Sequence, residues 1–328
     1  MSQTGSSATA SAASAVVKEL VLTRVFNAPR SLVFKVWTDP KHVARWWGPH
    51  GYTNPVCEVD ARPGGKILIH MQDPVMPVNP MTGVFEEIVE PERLVFLSMA
   101  MPDANGVPQL QVRNTVTFED LGGKTKMTLK AQVLKASPQV APCLDGMTQG
   151  WMETLERLGD VLVNPLDMTP LAARELVFRR FLGAPRERVF DAWTDPEQIG
   201  KWWGPQGFKT TTHTMDARPG GVWDFTMHGP NGRDYKSRIV YLQVERPVFL
   251  AYKQAGEGAD AGMQFHATVT LGEMSGKTSL TLRILFATTE ERDHNVKTYH
   301  SMEGGTQTLE RLAQHVEQTP APADTVKS

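Results

Sequence analysis

The sequence predicts a duplicated α+β protein: two tandem domains, each ordered β-α-α-β6-α, with an antiparallel sheet and a long C-terminal helix. Three observations predict it. Residues 19–65 align without a gap to residues 175–221, and about half of the paired positions are identical. Helical apolar spacing is confined to stretches near the start and at the end of each repeat, while the middle reads as a series of strands. Those strand-like runs follow one another across short turns, which favours an antiparallel meander over parallel crossovers.

Each repeat opens on an alternating run, Glu19 to Phe26 and Glu175 to Leu182, read as a strand. Ala-Pro-Arg follows, then a helical stretch, Ser31 to Trp37 and Glu187 to Trp193. In the second copy Val189, Phe190 and Trp193 share one face. Asp39-Pro40 and Asp195-Pro196 start a second, short helix. Asp accepts a bond from the free backbone N–H groups there, and Pro suits the first helical position. Gly48-Pro49 and Gly204-Pro205 end it. In the first repeat the strands then fall near 53–60, 65–72, 82–90, 93–101, 110–119 and 125–134. Pro63-Gly64-Gly65, Pro219-Gly220-Gly221, Asn105-Gly106, Gly122-Gly123 and Ser275-Gly276 punctuate them. The closing helix carries Met147, Trp151, Leu155, Leu158 and Leu162 on one stripe. Its counterpart carries Met302, Thr306, Leu309, Leu312 and Val316, with Thr288 and Glu291 as a capping box at its start. A one-sided antiparallel sheet is the partner such a stripe needs.

The organisation that follows is a polar lead over 1–17 and a first domain over 18–163. A linker over 164–174, a second domain over 175–317 and a disordered tail over 318–328 complete it. Pro165 and Pro170 break the helix in the linker, and the tail is Pro- and Ala-rich.

Composition narrows the function classes. Of 328 residues 41% are hydrophobic and 21% charged, the balance of an ordinary soluble domain. Lys plus Arg number 34 and Asp plus Glu 36, a net charge of −2, which argues against a nucleic-acid binder or a polybasic membrane anchor. Two cysteines, Cys57 and Cys143, exclude a disulfide scaffold and a Cys-rich zinc module. No apolar run reaches the length of a membrane span, and the lead is a poor signal peptide, so the cytoplasm is the expected compartment.

Several shared motifs carry a resemblance. They are Ala-Pro-Arg, Trp-Thr-Asp-Pro, Trp-Trp-Gly-Pro-x-Gly, Asp-Ala-Arg-Pro-Gly-Gly and, in the first repeat, Gly150-Trp151-Met152-Glu153-Thr154-Leu155-Glu156-Arg157-Leu158. In this order, twice over, each repeat resembles a START/Bet v 1-like (SRPBCC) domain. Within that superfamily it is similar to the activator of Hsp90 ATPase homologue 1-like (AHSA1-like) branch. The resemblance implies a helix-grip fold, a curved antiparallel sheet around the C-terminal helix with a cavity between them. The second repeat departs from the motif, with Gly305 where the first has Trp151. The missing indole predicts a void, hence a larger or differently lined second cavity, unless another side chain refills it.

The candidate ligand-binding residues are aromatic, Met and His positions with a route to that cavity. They are Trp46, Trp47, His70, Met99, Met147 and Trp151 in the first repeat, and Trp202, Trp203, His228, Met263, Phe265 and Met302 in the second. Trp packs on apolar ligands, Met adapts to irregular ones, and a strand-borne His facing a cavity can serve as acid or base. Each has a plainer reading beside it. The Trp pairs also suit the core where the second helix meets the sheet, the Met positions suit loose core packing, and the His residues suit surface or satisfied core positions. Asp60-Ala61-Arg62-Pro63-Gly64-Gly65 lacks the spacing of a phosphate loop and precedes a strand, so Asp60 and Arg62 brace a turn. No metal-binding or nucleophile–base pattern stands out, and no catalytic residue, cofactor or metal is expected.

Three functions remain open. The first is a binder of a small apolar or amphipathic molecule between sheet and helix. The second, implied by the resemblance, is an interaction module with a chaperone or other protein partner. The third, also implied, is a cyclase- or aromatase-like enzyme. The duplication adds the expectation that the two repeats pack as an intramolecular pseudo-dimer.

Overall fold

The computed structural model describes residues 18–73, 77–255 and 265–318. The expected lead over 1–17, all but the first residue of the expected tail, and the candidate Met263 lie outside them.

The first domain runs β1 (Glu19–Phe26), α1 (Arg30–Thr38), α2 (Pro40–Trp46), β2 (Thr53–Val59), β3 (Lys66–Gln72), β4 (Asn79–Val89), β5 (Arg93–Pro102), β6 (Pro108–Asp120) and β7 (Thr125–Ala136). A 3-10 turn over Ala141–Gly146 leads into its closing helix, α3 (Met147–Val163). The second repeats the order as β8 (Glu175–Leu182), α4 (Arg186–Thr194), α5 (Pro196–Trp202), β9 (Lys209–Met215), β10 (Val222–His228), β11 (Asp234–Glu245), β12 (Phe249–Ala255), β13 (Phe265–Met274) and β14 (Lys277–Phe286). It closes on α6 (Thr289–Tyr299) and α7 (Ser301–Gln318). Each domain has one seven-stranded antiparallel sheet, in the orders β1-β7-β6-β5-β4-β3-β2 and β8-β14-β13-β12-β11-β10-β9. The first strand closes on the last, and α3 or α7 lies against the inner face. This is the helix grip.

The local reasons are those of the sequence. Asp39 accepts a hydrogen bond from Lys41 N and Asp195 from Glu197 N, each followed by Pro at the first helical position. Arg62 Nε donates to Asp60 and Arg218 Nε to Asp216, bracing the equivalent turns. A Cβ at Gly65 or Gly221 would collide with the carbonyl of Asp60 or Asp216, so only glycine closes these turns. One expectation is corrected. Thr288 does cap a helix, accepting from Glu291 N, but that helix is the separate α6. His300, in the left-handed region at φ 50°, breaks the chain before α7 begins at Ser301.

The cores are aromatic. In the first domain Trp37, Trp46, Trp47, Phe85, Phe96 and Phe118 form one contiguous cluster with Leu155, Leu158 and Val161 of α3. In the second, Trp193, Trp202, Trp223, Phe225, Tyr241 and Tyr252 pack with Leu309, Leu312 and Val316 of α7. Desolvation in that core pushes both tyrosine phenols well above their ordinary range.

The domains pack directly, and through unlike surfaces. The outer face of the second sheet, on β8, β13 and β14, receives the back of α3 and the 48–52 turn of the first domain. The linker is pinned to the first domain, where Arg45 donates to Pro165 O at 2.9 Å and Asn164 O at 3.2 Å, and Leu171 is fully buried. A pseudo-dimer would pair the same patch with itself; this contact is head-to-tail. No helix of the described residues is long and apolar enough to cross a membrane.

Candidate functional site

The inward side chains of β6, an interior strand of the first sheet, are apolar except at one place. On β6, Val112, Asn114, Val116 and Phe118 point inward and all are buried. Asn114 lies opposite Phe96 on β5 and Ala131 on β7. Its Nδ2 donates to Ser98 Oγ at 2.9 Å and to Val112 O at 3.2 Å, and Ser98 Oγ donates to the same carbonyl. The neighbouring Val112 carbonyl is acceptor-only, which fixes the amide with nitrogen toward it. The carbonyl Oδ1 is therefore turned away, and it is buried with no hydrogen-bond partner among the described residues. An acceptor left bare in an apolar interior costs about 1–3 kcal/mol.

Around this acceptor the side chains are small on one side and aromatic on the other. Val112, Ala131 and Val133 form a small cluster with Leu144 and Met147 at the entry to α3. Toward the core lie Phe96 and Trp47, with ring centroids 6.1 Å apart, and Trp151 of α3 sits edge-on to Trp47 at 5.7 Å. Trp37 adds a buried indole N–H without a partner among the described residues, and its ring packs edge-on to Trp47 with centroids 6.2 Å apart. The same indole N–H is bare in the second domain, at Trp193, so it is the Asn114 acceptor that sets the first interior apart.

The second domain fills the same space. At the positions of the Val112–Val133 pair stands Phe265–Phe286, with centroids 5.9 Å apart, and the Asn114–Ala131 pair becomes Ala267–Ile284. The void expected at Gly305 is refilled. A Cβ there would run into the ring of Phe178 on β8, which takes the place of the smaller Leu22 in the first repeat. Trp223 and Phe225, stacked at 3.9 Å, replace Ile67 and Ile69 and hold Trp203. At the paired positions of these two strands the first interior carries the smaller and more polar side chains.

The structure brings some of the expected site residues together and separates others. Trp47, Met147 and Trp151 gather at the first interior, and Trp203 and Phe265 pack on the second core. Trp46 and Trp202 are fully buried with their indole N–H groups donating to Val36 O and Ala192 O, which makes them core caps. His70 follows the inward Ile69, and strand alternation places it on the outer face with Leu68. Met99 also lies on that outer face, beside Leu68, Thr82 and Val84 in a groove of about 620 Å³. His228 is a surface residue held by Asp234 at 2.7 Å and Thr211 at 3.0 Å, and Met302 is 45% exposed on the first turn of α7. Cys57 is half-buried with its thiol pushed up to about 11 by burial, and Cys143 is exposed.

Two groups escaped the sequence reading. One is Asn114. The other is Arg157, fully buried, whose guanidinium gathers five carbonyls of the Trp-Trp-Gly-Pro turn: Arg45, Trp47, Gly48, Pro49 and Tyr52, at 2.7–3.3 Å. Arg311 repeats this with Lys201, Trp203, Gly204 and Pro205. The arginine is visible in both repeats, inside the matching Leu-Glu-Arg-Leu of the closing helix. It ties the helix that closes the interior to the turn that carries Trp47.

Comparison with known proteins agrees with this architecture. The family described as activator of Hsp90 ATPase homolog 1-like protein matches twice, over residues 27–163 and 183–317. No curated protein matches the chain. Among solved structures, a protein from Arthrobacter aurescens is 22% identical, covering 49% of this chain and 95% of its own, with a TM-score of 0.43. One from Nitrosomonas europaea is 25% identical, covering 46% and 99%, with a TM-score of 0.40. DynU16, from the dynemicin biosynthetic locus, is 16% identical and covers 90% of this chain and 98% of its own, with a TM-score of 0.36.

Proposed function

The chain belongs to the activator of Hsp90 ATPase homolog 1-like family, present twice in one polypeptide, and from that premise we propose that its first domain binds an apolar small molecule between the sheet and α3. The observation that carries this reading is the bare Asn114 carbonyl. A buried acceptor without a partner is retained at a cost unless something supplies a donor. The complementary ligand is an apolar or amphipathic molecule with a hydroxyl or N–H group. Its apolar part packs on Phe96, Trp47, Trp151 and Met147. The domains we assign are 18–163 and 175–317, joined by 164–174. We place the protein in the cytoplasm, where its two free thiols suit a reducing compartment.

Calorimetric titration with a medium-chain primary alcohol tests the reading. We expect binding to the full chain, and about a tenfold loss of affinity in Asn114→Leu, the equivalent of one hydrogen bond. The same substitution leaves stability unchanged or raises it, since it removes the bare acceptor. Equal affinity in the two proteins would sink the assignment.

A second reading, a chaperone-linked interaction module, is favoured by one feature. The groove on the outer face of the first sheet is lined by the half-buried Leu68, Val84 and Met99, while the matching face of the second domain carries Asp224, Thr226 and Arg238. An apolar groove on one repeat alone suits a protein partner. Its signature is partner capture that Met99→Glu abolishes and Asn114→Leu leaves intact.

A further inference from the structure

Helix α3 has two working faces. Leu155, Leu158 and Val161 face the first core, and Met147 and Trp151 face the candidate ligand site. The opposite face, Gln149, Glu153, Glu156 and Asp160, meets the second domain. There Arg283 on β14 is 3% exposed, with Nη1 donating to Asp160 at 2.6 Å and Nε donating to Glu175 at 2.5 Å. Gln149 Nε2 donates to Thr281 Oγ1 at 3.0 Å and to Glu153 Oε1 at 3.0 Å. The adjoining turn is held as well. Gly51 N donates to Glu175 Oε1 at 2.8 Å, and Arg179 Nη2 donates to His50 O at 2.5 Å. Leu285, on the same outer face of β14, packs into the core of the first domain.

Among the described residues no contact with the other domain restrains α7, whose Glu310 makes a half-exposed ion pair with Arg180 of its own domain at 3.7 Å. Its turn contact is the same: Gln206 N donates to Gln307 Oε1 at 3.1 Å, as His50 N donates to Glu153 Oε2 at 3.3 Å. Its outward residues Met302, Glu303 and Thr306 are exposed. The counterpart of Arg283 on the first sheet is Lys130, bonded to Glu19 at 2.9 Å on an open surface. One helix of the duplicated pair is clamped and the other is not, and the clamped one closes the interior with the bare acceptor.

We infer that Arg283, a residue of the second domain, is a positioning residue for the ligand site of the first: through Asp160 it fixes the helix that must yield for a molecule to enter, and through Glu175 the adjoining Gly51 turn. The inference rests on the binding reading only for its effect on entry. The second domain is then an intramolecular partner with a filled core, and its outer sheet face is its working surface.

The test uses the full chain in four forms: unaltered, Arg283→Met, Arg283→Lys and, as control, Lys130→Met. Hydrogen exchange is read over α3, and stopped-flow association is read with 1-anilinonaphthalene-8-sulfonate, an apolar probe with an N–H donor. In Arg283→Met we expect α3 to exchange about tenfold faster and the probe to associate several-fold faster, with both partly restored in Arg283→Lys. Lys130→Met should match the unaltered protein. If Arg283→Met folds and leaves α3 exchange unchanged, the inference is overturned. Should it fail to fold, the paired change Gln149→Leu with Thr281→Val loosens the same contact while removing both partners of one bond, and unchanged exchange there overturns it equally. If the unaltered protein takes up no probe, the binding reading fails, and the exchange measurement still decides the clamp.

Discussion

A single atom distinguishes the two interiors. Asn114 Oδ1 is buried and bare, and its counterpart Ala267 has no polar group at all. The rest of the difference is a set of exchanges in size: Leu22 for Phe178, Trp151 for Gly305, Val112 and Val133 for Phe265 and Phe286. Phe178 and Gly305 form a matched pair, because a Cβ at Gly305 has no room beside the ring. Gly305→Ala is expected to cost about 1–3 kcal/mol, and adding Phe178→Leu should recover most of it. Urea denaturation of the four proteins of the cycle checks this; additive effects would contradict it. The exchange was legible in part. The missing indole shows in the alignment, but its refilling depends on a strand residue distant in sequence. Asn114 left a weaker trace, as a polar residue at an inward position of an alternating strand.

The buried pair His50–Glu156 also belongs to this scale. His50 is fully buried, and burial first, then Arg283, Arg157 and Arg179, hold its imidazole well below the usual range. Burial pushes the Glu156 carboxyl up to about 8, against the pull of Arg283. At neutral pH the pair is therefore uncharged, with the Glu156 acid donating to His50 Nε2 at 2.9 Å. A carboxyl raised from its ordinary 4.5 stabilises the fold fully below about pH 4.5 and loses that contribution as pH rises through about 8. His50 has the opposite sign, since its contribution is present above its ordinary 6.5 and is lost as pH falls through its lowered value. Glu156→Gln removes the first term alone. Thermal melts should show the variant gaining on the unaltered protein steadily from pH 5.5 to 8.5. A gap that does not change with pH would count against the uncharged pair.

At the scale of elements, the caps, turns and strands follow local chemistry closely, and most could be read directly. Asp-Pro starts, Gly-Pro stops and Gly-Gly turns each carry their mechanism in the residues themselves. The split of the last helix into α6 and α7 could not be read this way. Thr288 announces a helix start, but the break at His300 is a backbone conformation without a glycine to mark it. The role of Arg157 was equally hidden. Its side chain reaches from α3 to carbonyls about a hundred residues earlier, and sequence spacing carries no trace of that convergence. Arg157→Met leaves those buried carbonyls bare and is expected to cost more than about 3 kcal/mol. Arg311→Met should cost less, because its guanidinium is less buried and makes four such bonds. Chemical denaturation of both variants decides the order; the reverse ranking would show that the staple is not what holds the turn.

For the whole molecule, duplication and family could be read from repeated motifs, while the docking of one repeat on the other could not. The outer face of β14 reads as an ordinary alternating strand. Its one clue is Arg283 inside Leu-Thr-Leu-Arg-Ile-Leu-Phe, a charge placed where a solvated or paired site must receive it. The structure pairs it across the domain boundary with Asp160, and within its own domain with Glu175, whose other oxygen accepts from Gly51 N of the first domain. Burial opposes any charge there, yet the two carboxylates outweigh it and raise the guanidinium further above its ordinary value. Removing one member of such a cluster leaves the others buried and uncompensated, so the two domains are expected to unfold together. The two repeats have diverged on one fold, one interior carrying a bare buried acceptor and the other larger apolar side chains behind a face that docks on its neighbour.

The central claim is that the first interior holds a small apolar molecule through Asn114. Native followed by denaturing mass spectrometry of the full chain, purified gently from its own host, addresses it directly. The account predicts a recurrent small molecule released on denaturation, with a hydroxyl or N–H group on an apolar body, and its loss in Asn114→Leu. A bare protein mass from fresh material, or a molecule that stays bound in Asn114→Leu, would contradict it.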